Sequence, residues 1–402
     1  MKAVAAEKQE AWQERFAVSG WMDAIQSMRL RSPNDSLTSR ARLRLKLTAD
    51  MDWVYGFVSA DGEKNWKISS ESGAKLHEAW VEHVADTWDL RIGKQIIIWG
   101  RADGVQITDM ITPPDYTESI TRDLDEIRMP VSAARLRLLG EHFDTMLIWL
   151  PFFEAAVQPE GDNPWAVAPI FPENMDISSA PVDEPSTAFE NGEIALKISS
   201  YLSGLDLAAS IFHTWDDFPT MHRRVSLSGE QTRVVFSPKH HRLTVFGLEG
   251  SRPWSDYVFR FEIAYYTGRY YEPARLAGKP CKKDAAKWLC GIDWSPGNDW
   301  MVMTQVIGDH VFGDTDLLAR NKDPYIATLN ISKKLLNQTL TLANMVYWQM
   351  DAGEIFDRFK LTYDLNDAVA LFAGVDLFSG DDGTFGQYEE NSQAWVKVKY
   401  SF

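Results

Sequence analysis

From Gln393 to Phe402 the chain alternates apolar and polar side chains with a period of two. Ala394, Val396, Val398, Tyr400 and Phe402 fall on one face of an extended segment; Gln393, Lys397, Lys399 and Ser401 fall on the other. The same alternation recurs along the chain. Ala41, Leu43, Leu45 and Leu47 oppose Arg40, Arg42, Arg44 and Lys46, and Phe259, Phe261, Ile263 and Tyr265 oppose Arg260, Glu262 and Ala264. Phe359, Leu361 and Tyr363 oppose Arg358, Lys360 and Thr362, and Val369, Leu371, Ala373 and Val375 oppose Ala370, Phe372, Gly374 and Asp376. Strands that are apolar on one face, polar on the other and end in aromatics suit a transmembrane β-barrel, whose outside meets lipid and whose inside meets water. A soluble sandwich alternates in the same way, so the links between strands have to decide.

Those links nearly alternate in length. Short ones fall at 49–53, 85–88, 140–141, 203–204, 251–256, 296–299, 336–338 and 366–367. Longer polar or Pro/Gly-rich ones fall at 32–36, 61–73, 99–130, 154–187, 218–238, 272–283, 313–322 and 379–391. The exception, 351–353, is short where a long link is due. Short periplasmic turns and long extracellular loops give this rhythm. The sequence therefore predicts an all-β, antiparallel transmembrane barrel of about 18 strands, with 16 as second choice, running from about Phe16 to Phe402 with both termini periplasmic. Residues 1–13 are expected to form a tail, and 14–402 a single barrel domain with an inward-folding loop 99–130 and a long loop 154–187. Helical periodicity is almost absent, and apolar runs such as 146–153 fall far short of the roughly 20 residues of a membrane helix.

Composition narrows the functional classes. A net charge of −16 over 402 residues leaves no basic domain for nucleic acid. Sixteen Trp and thirteen Tyr suit interfacial belts, with Trp80, Trp88, Trp149, Trp254 and Trp294 near strand ends. The start, Met-Lys-Ala-Val-Ala-Ala-Glu-Lys, has no apolar signal core and reads as a mature or engineered beginning. Cys281 and Cys290, the only cysteines, flank the expected link between strands 11 and 12 and could bridge in an extracytoplasmic setting. None of the eight His residues lies in a nucleophile elbow or a zinc-ligand spacing, so no catalytic residue, metal site or cofactor is assigned. Gly380-Asp381-Asp382-Gly383 reads as a plain turn rather than a cation loop.

Arg91 to Pro130 carries a family likeness. Arg-Ile-Gly-Lys-Gln-Ile-Ile-Ile-Trp-Gly-Arg-Ala-Asp-Gly, followed by Asp109, Pro113, Asp115 and the stretch Arg122 to Pro130, resembles an uncharacterised proteobacterial outer-membrane β-barrel family and, more distantly, the alginate-export and porin-like barrels. The resemblance implies an outer-membrane channel and no particular solute. In general porins the loop at this topological position folds into the lumen. Here it carries Asp103, Asp109, Asp115, Glu118, Asp123, Asp125 and Glu126. Inward faces offer basic partners: Arg40, Arg42, Arg44 and Lys46 on strand 2, Arg135 and Arg137 on strand 6, Arg358 and Lys360 on strand 16, and Lys397 and Lys399 on strand 18. Opposed charges across a narrow wet passage would set up a transverse field that selects solutes by charge. Pairing of the same charges would instead plug the lumen. The reading is an outer-membrane, porin-like channel, not an enzyme, passing small polar or acidic solutes through that constriction. An accessory barrel of an export or lipid-transfer system, with periplasmic partner proteins, is the alternative; an outer-membrane hydrolase is weaker. Outer-membrane lipid and lipopolysaccharide are expected around it, and homo-oligomers are compatible with it.

Overall fold

The computed structural model describes residues 15–402 apart from 103, 119–120, 123, 168–170, 173–174, 229–230, 321–322 and 382, so the expected tail 1–13 lies outside the described residues. In chain order the strands are β1 (Phe16–Arg29), β2 (Ser39–Asp50), β3 (Tyr55–Asn65), β4 (Gly73–Val84), β5 (Trp88–Gln95), β6 (Val131–Leu139) and β7 (Phe143–Leu150). Then come β8 (Met175–Ser179), β9 (Glu193–Leu202), β10 (Leu205–Trp215), β11 (Thr220–Ser228), β12 (Gln231–Lys239), β13 (Arg242–Trp254) and β14 (Tyr257–Tyr271). The last are β15 (Cys281–Gly297), β16 (Trp300–Val311), β17 (Tyr325–Leu335), β18 (Leu340–Gln349), β19 (Glu354–Asp364), β20 (Val369–Ser379) and β21 (Gln393–Ser401). All but β8, β11 and β12 join one 18-stranded antiparallel sheet. It closes where β1 meets β21, with Trp21 opposite Ser401 and Arg29 opposite Gln393.

Residue faces follow the alternation in the sequence, but burial is inverted relative to a soluble protein. Leu45, Ile263 and Val396 are 45%, 41% and 59% exposed, whereas the inward Glu262 and Asp376 are 0% exposed. Such a barrel is covered by hydrocarbon and filled with polar groups. One end carries only short links, such as 51–54, 203–204 and 298–299; the other carries the long ones, apart from 350–353. Trp254, Tyr257, Trp294 and Trp300 gather at the short-link end as an outward aromatic rim. Trp80 departs from the expected belt. It faces inward, stacked on Phe57 at 5.1 Å and covered by the Arg91 guanidinium at 3.7 Å, because an aromatic face can hold a lumenal cation as well as lipid.

The cysteines also depart from expectation. Both lie in β15 and are free thiols. At about 3.3 Å per residue they stand roughly 30 Å apart along the strand, far beyond the roughly 7 Å Cα limit of a disulfide. The link 272–280 ends at Cys281 instead of enclosing a bridge.

Candidate constriction of the lumen

Residues 96–130 leave β5 and return to β6. The neck of this loop closes on Asp109, which accepts the Trp99 N–H at 2.7 Å and pairs with Arg128 at 2.8 Å. Gly100 and Gly104 have φ of +84° and +69°, values that favour glycine. Both are also crowded: a Cβ on Gly100 would press on Thr108 and Glu262, and one on Gly104 would fall on the Tyr347 hydroxyl.

On one side the loop is held by β13 and β14. The buried Glu262 carboxylate accepts the N–H groups of Arg101, Ala102 (2.6 Å) and Thr108 (3.2 Å) and the Thr108 hydroxyl (3.0 Å). Glu249 also accepts from that hydroxyl at 3.1 Å, and Arg260 donates to the Arg101 carbonyl at 2.5 Å. On the other side Arg40 pairs with Glu118, Arg42 with Glu126 at 3.1 Å, and Lys397 with Glu126 at 3.4 Å. Arg358 donates to the Thr121 carbonyl, and the Tyr347 hydroxyl to that of Gly104 at 3.0 Å. In the closed strand order β2 and β21 lie close to half the circumference away from β13 and β14, and β19 about a third of it. The loop therefore bridges the lumen from wall to wall.

The predicted charges meet rather than face each other across water. Arg40 is 2% and Glu118 3% exposed. Burial alone would raise the Glu118 carboxyl, but Arg40 and Arg122 on either side outweigh it and bring it down to about 2. Glu126 is held well below the usual carboxylate range in the same way: Arg42, Lys397 and Arg40 overcome the effect of burial. Aromatic faces complete the basic sector, with Arg42, Arg44 and Lys399 over Trp21 and Lys360 and Lys397 over Phe372.

Other expected members lie elsewhere. Arg44 pairs with Asp61 at 2.6 Å, while Arg135 and Arg137 pair with Glu82 and Asp89 on their own stretch of wall. Lys46 follows Arg44 along the inward face of β2 toward the short-link end. Asp109 and Asp115 serve the loop itself, Asp115 through Thr117 and Arg122. Asp103 and Asp123, like the side chain of Asp125, lie outside the described residues.

Beside the loop is a cavity of about 790 Å³, lined by loop residues, by Asp216 to Phe218 and by inward residues of β14, β15, β17, β18 and β19. A second loop, 151–192, reaches over the mouth. Its Trp165, fully buried, packs on Phe378 and Tyr388, and Asn163 donates to the Thr117 carbonyl of the loop beneath at 2.8 Å.

A family described as a protein of unknown function, DUF1302, matches residues 5–382. The chain belongs to this family. No curated protein matches the DUF1302 chain significantly. Among solved structures it is similar to OccAB3 of Acinetobacter baumannii, with a TM-score of 0.55 at 10% identity over 97% of this chain and 99% of that one. It also aligns with the outer membrane channel DcaP of Acinetobacter baumannii (TM-score 0.49, 10% identity, 96% and 97% covered) and with Salmonella typhi OmpF in complex with daunomycin (0.47, 9%, 96% and 97%). At such low identity the likeness to OccAB3 speaks for the barrel architecture alone.

The DUF1302 barrel holds site features that the sequence reading missed. Glu262 grips the loop through its backbone and Thr108, so no complementary charged side chain marks it in the sequence, while Glu249 takes the Thr108 hydroxyl and pairs with Arg101 at 3.6 Å and Lys197 at 2.8 Å. The links 151–192 and 216–241 build a small sheet of their own: β11 pairs antiparallel with β12, and β12 pairs parallel with β8. His222 and His241, which no spacing in the sequence links, meet with Nε2 atoms 2.8 Å apart under Tyr270.

Proposed function

We propose that this chain is an outer-membrane channel for small polar or acidic solutes, with passage governed by the infolded loop 96–130 and with the short-link end and both termini in the periplasm. One observation carries the reading: a long loop is bonded to inward residues on opposite walls of a closed barrel, leaving a cavity at its side instead of a wide lumen. A purely structural plug has no need of a ladder that continues past the loop, from Arg40 and Arg42 to Arg44 and Lys46, beside Lys399. Such a ladder raises the local concentration of anions.

Purified protein in a planar bilayer tests this. Stable ohmic steps are the expected result; silence would favour an accessory barrel of an export or lipid-transfer machine. Replacing Arg42 and Arg44 together by Ala is expected to move the reversal potential in a salt gradient toward cation preference, because Asp23, Asp61 and Glu126 lose their guanidinium partners. An unmoved reversal potential would place the ladder outside the conducting path.

A further inference from the structure

The lumenal cavity is large enough for an organic molecule, since ligand pockets span roughly 300–1,000 Å³. Much of its wall is apolar, with Val105, Met110, Ile326, Met345 and Phe356 among its lining residues. Five cations also line it, and four are answered by carboxylates: Arg128 by Asp109, Arg269 by Asp216, Arg358 by Asp376, and Arg122 by Glu118 and Asp115. Lys287, on the inward face of β15, is the fifth. Among the described residues it makes no hydrogen bond or ion pair, and its Nζ lies 6.0 Å from the centre of the Tyr266 ring. Its cross-strand neighbour Asp309 gives one carboxylate oxygen to Arg320 at 3.3 Å, while the other, buried and without a hydrogen bond, forms no ion pair with Lys287.

Other polar atoms on lining residues also await a partner. The buried Gln106 Nε2, Thr112 Oγ1 and Arg122 Nη2 make no hydrogen bond, and Thr112 is 0% exposed. A β-bulge between Tyr266 and Arg269, with Gly268 at φ +77°, turns Tyr266, Arg269 and Tyr271 alike toward the lumen beside Lys287. Bulges of this kind re-aim side chains next to functional sites. Asp217, on the same cavity, is pushed well above the usual carboxylate range by burial and by the Glu193 and Asp216 carboxylates, so it opposes an incoming anion weakly.

We infer that this cavity binds an amphipathic monoanion, a carboxylate with an aromatic or alicyclic body, whose head meets Lys287 and whose body lies on the apolar wall. A small inorganic anion would leave that wall wet, and a neutral hydrocarbon would leave the ammonium and the amide and hydroxyl groups unmet, which burial penalises. The inference deepens the channel reading and rests on it for the meaning of the site, which then selects the solute rather than merely sizing it.

The test uses the full barrel in detergent and 2-naphthoate as probe, titrated by calorimetry against an empty-micelle reference. The wild-type protein is expected to bind it, with about tenfold or greater weakening in Lys287→Met, the scale of a lost charge-assisted hydrogen bond, and retention in Lys287→Arg. The neutral 2-naphthamide and the bodiless acetate are each expected to bind at least about tenfold more weakly than 2-naphthoate. Equal binding by Lys287→Met, equal binding of 2-naphthamide, or no binding by the wild type overturns the inference. Should Lys287→Met fail to fold, Met345→Trp, which keeps the ammonium but fills the apolar wall, must abolish binding; undiminished binding overturns it equally. Bilayer conductance without probe reads the channel separately. Ohmic steps without naphthoate binding remove this site and leave the channel, whereas binding without steps supports the site and removes the channel.

Discussion

Glu262 is the residue on which one end of the infolded loop depends. It accepts three backbone N–H groups and a hydroxyl from deep inside the barrel, at 0% exposure. Glu262→Ala leaves those donors unanswered, at about 1–3 kcal/mol each where water cannot replace the carboxylate. Amide exchange across residues 101–108, followed by mass spectrometry in detergent, is expected to quicken by about tenfold or more. Unchanged exchange would assign the grip to Arg260 and Glu249 instead. Gly104→Ala acts at the same scale from the loop's side, forcing a Cβ into a left-handed backbone beneath Tyr347, with an expected loss of about 1–2 kcal/mol and faster exchange in the same segment.

At the scale of elements, loop and wall form a latch with a built-in pH dependence. Glu118 titrates at about 2 in the folded protein against an ordinary value of 4.5. A depressed carboxyl contributes stability that is complete above its unfolded value and fades as pH falls through the folded one. The contribution, on the order of 3 kcal/mol, should hold above about pH 4.5 and erode between there and pH 2. Exchange protection of residues 113–128 is expected to fall across that window; constant protection down to pH 2 would deny the latch its ionic character. The strands themselves were legible because lipid and lumen impose opposite demands on alternate residues, and Arg40, Arg42, Glu118 and Glu126 were legible as unlike charges on wall and loop; their direct contact was only the alternative to a wet passage between them. The grip of Glu262 was not, because backbone amides are the same in every sequence. Nor was the inward turn of Trp80, since hydrophobicity cannot tell a lipid-facing indole from one that seats Arg91. The cysteines misled because β14 and β15 run 15 and 17 residues, beyond the span that alternation alone marks out.

The whole molecule depends on its seam. Gly20 and Phe402 exchange backbone hydrogen bonds at 2.8 and 3.0 Å, and a side chain on Gly20 would meet the Arg44 carbonyl and the Phe402 ring. Gly20→Leu is expected to cut the fraction of refolded protein that migrates as a compact band before heating, whereas Gly62→Ala, which meets nothing within 4 Å, should leave it unchanged. Equal yields would mean that closure tolerates a gap at this corner. Away from the seam the long-link rim is uneven. Between β18 and β19 only residues 350–353 rise, flanked by the taller 312–324 and 380–392. Both bordering strands line the cavity, through Met345, Tyr347, Phe356 and Arg358. In the proposed channel the entrance thus has a low sill on the flank nearest that chamber, where a bulky solute has only a short link to clear.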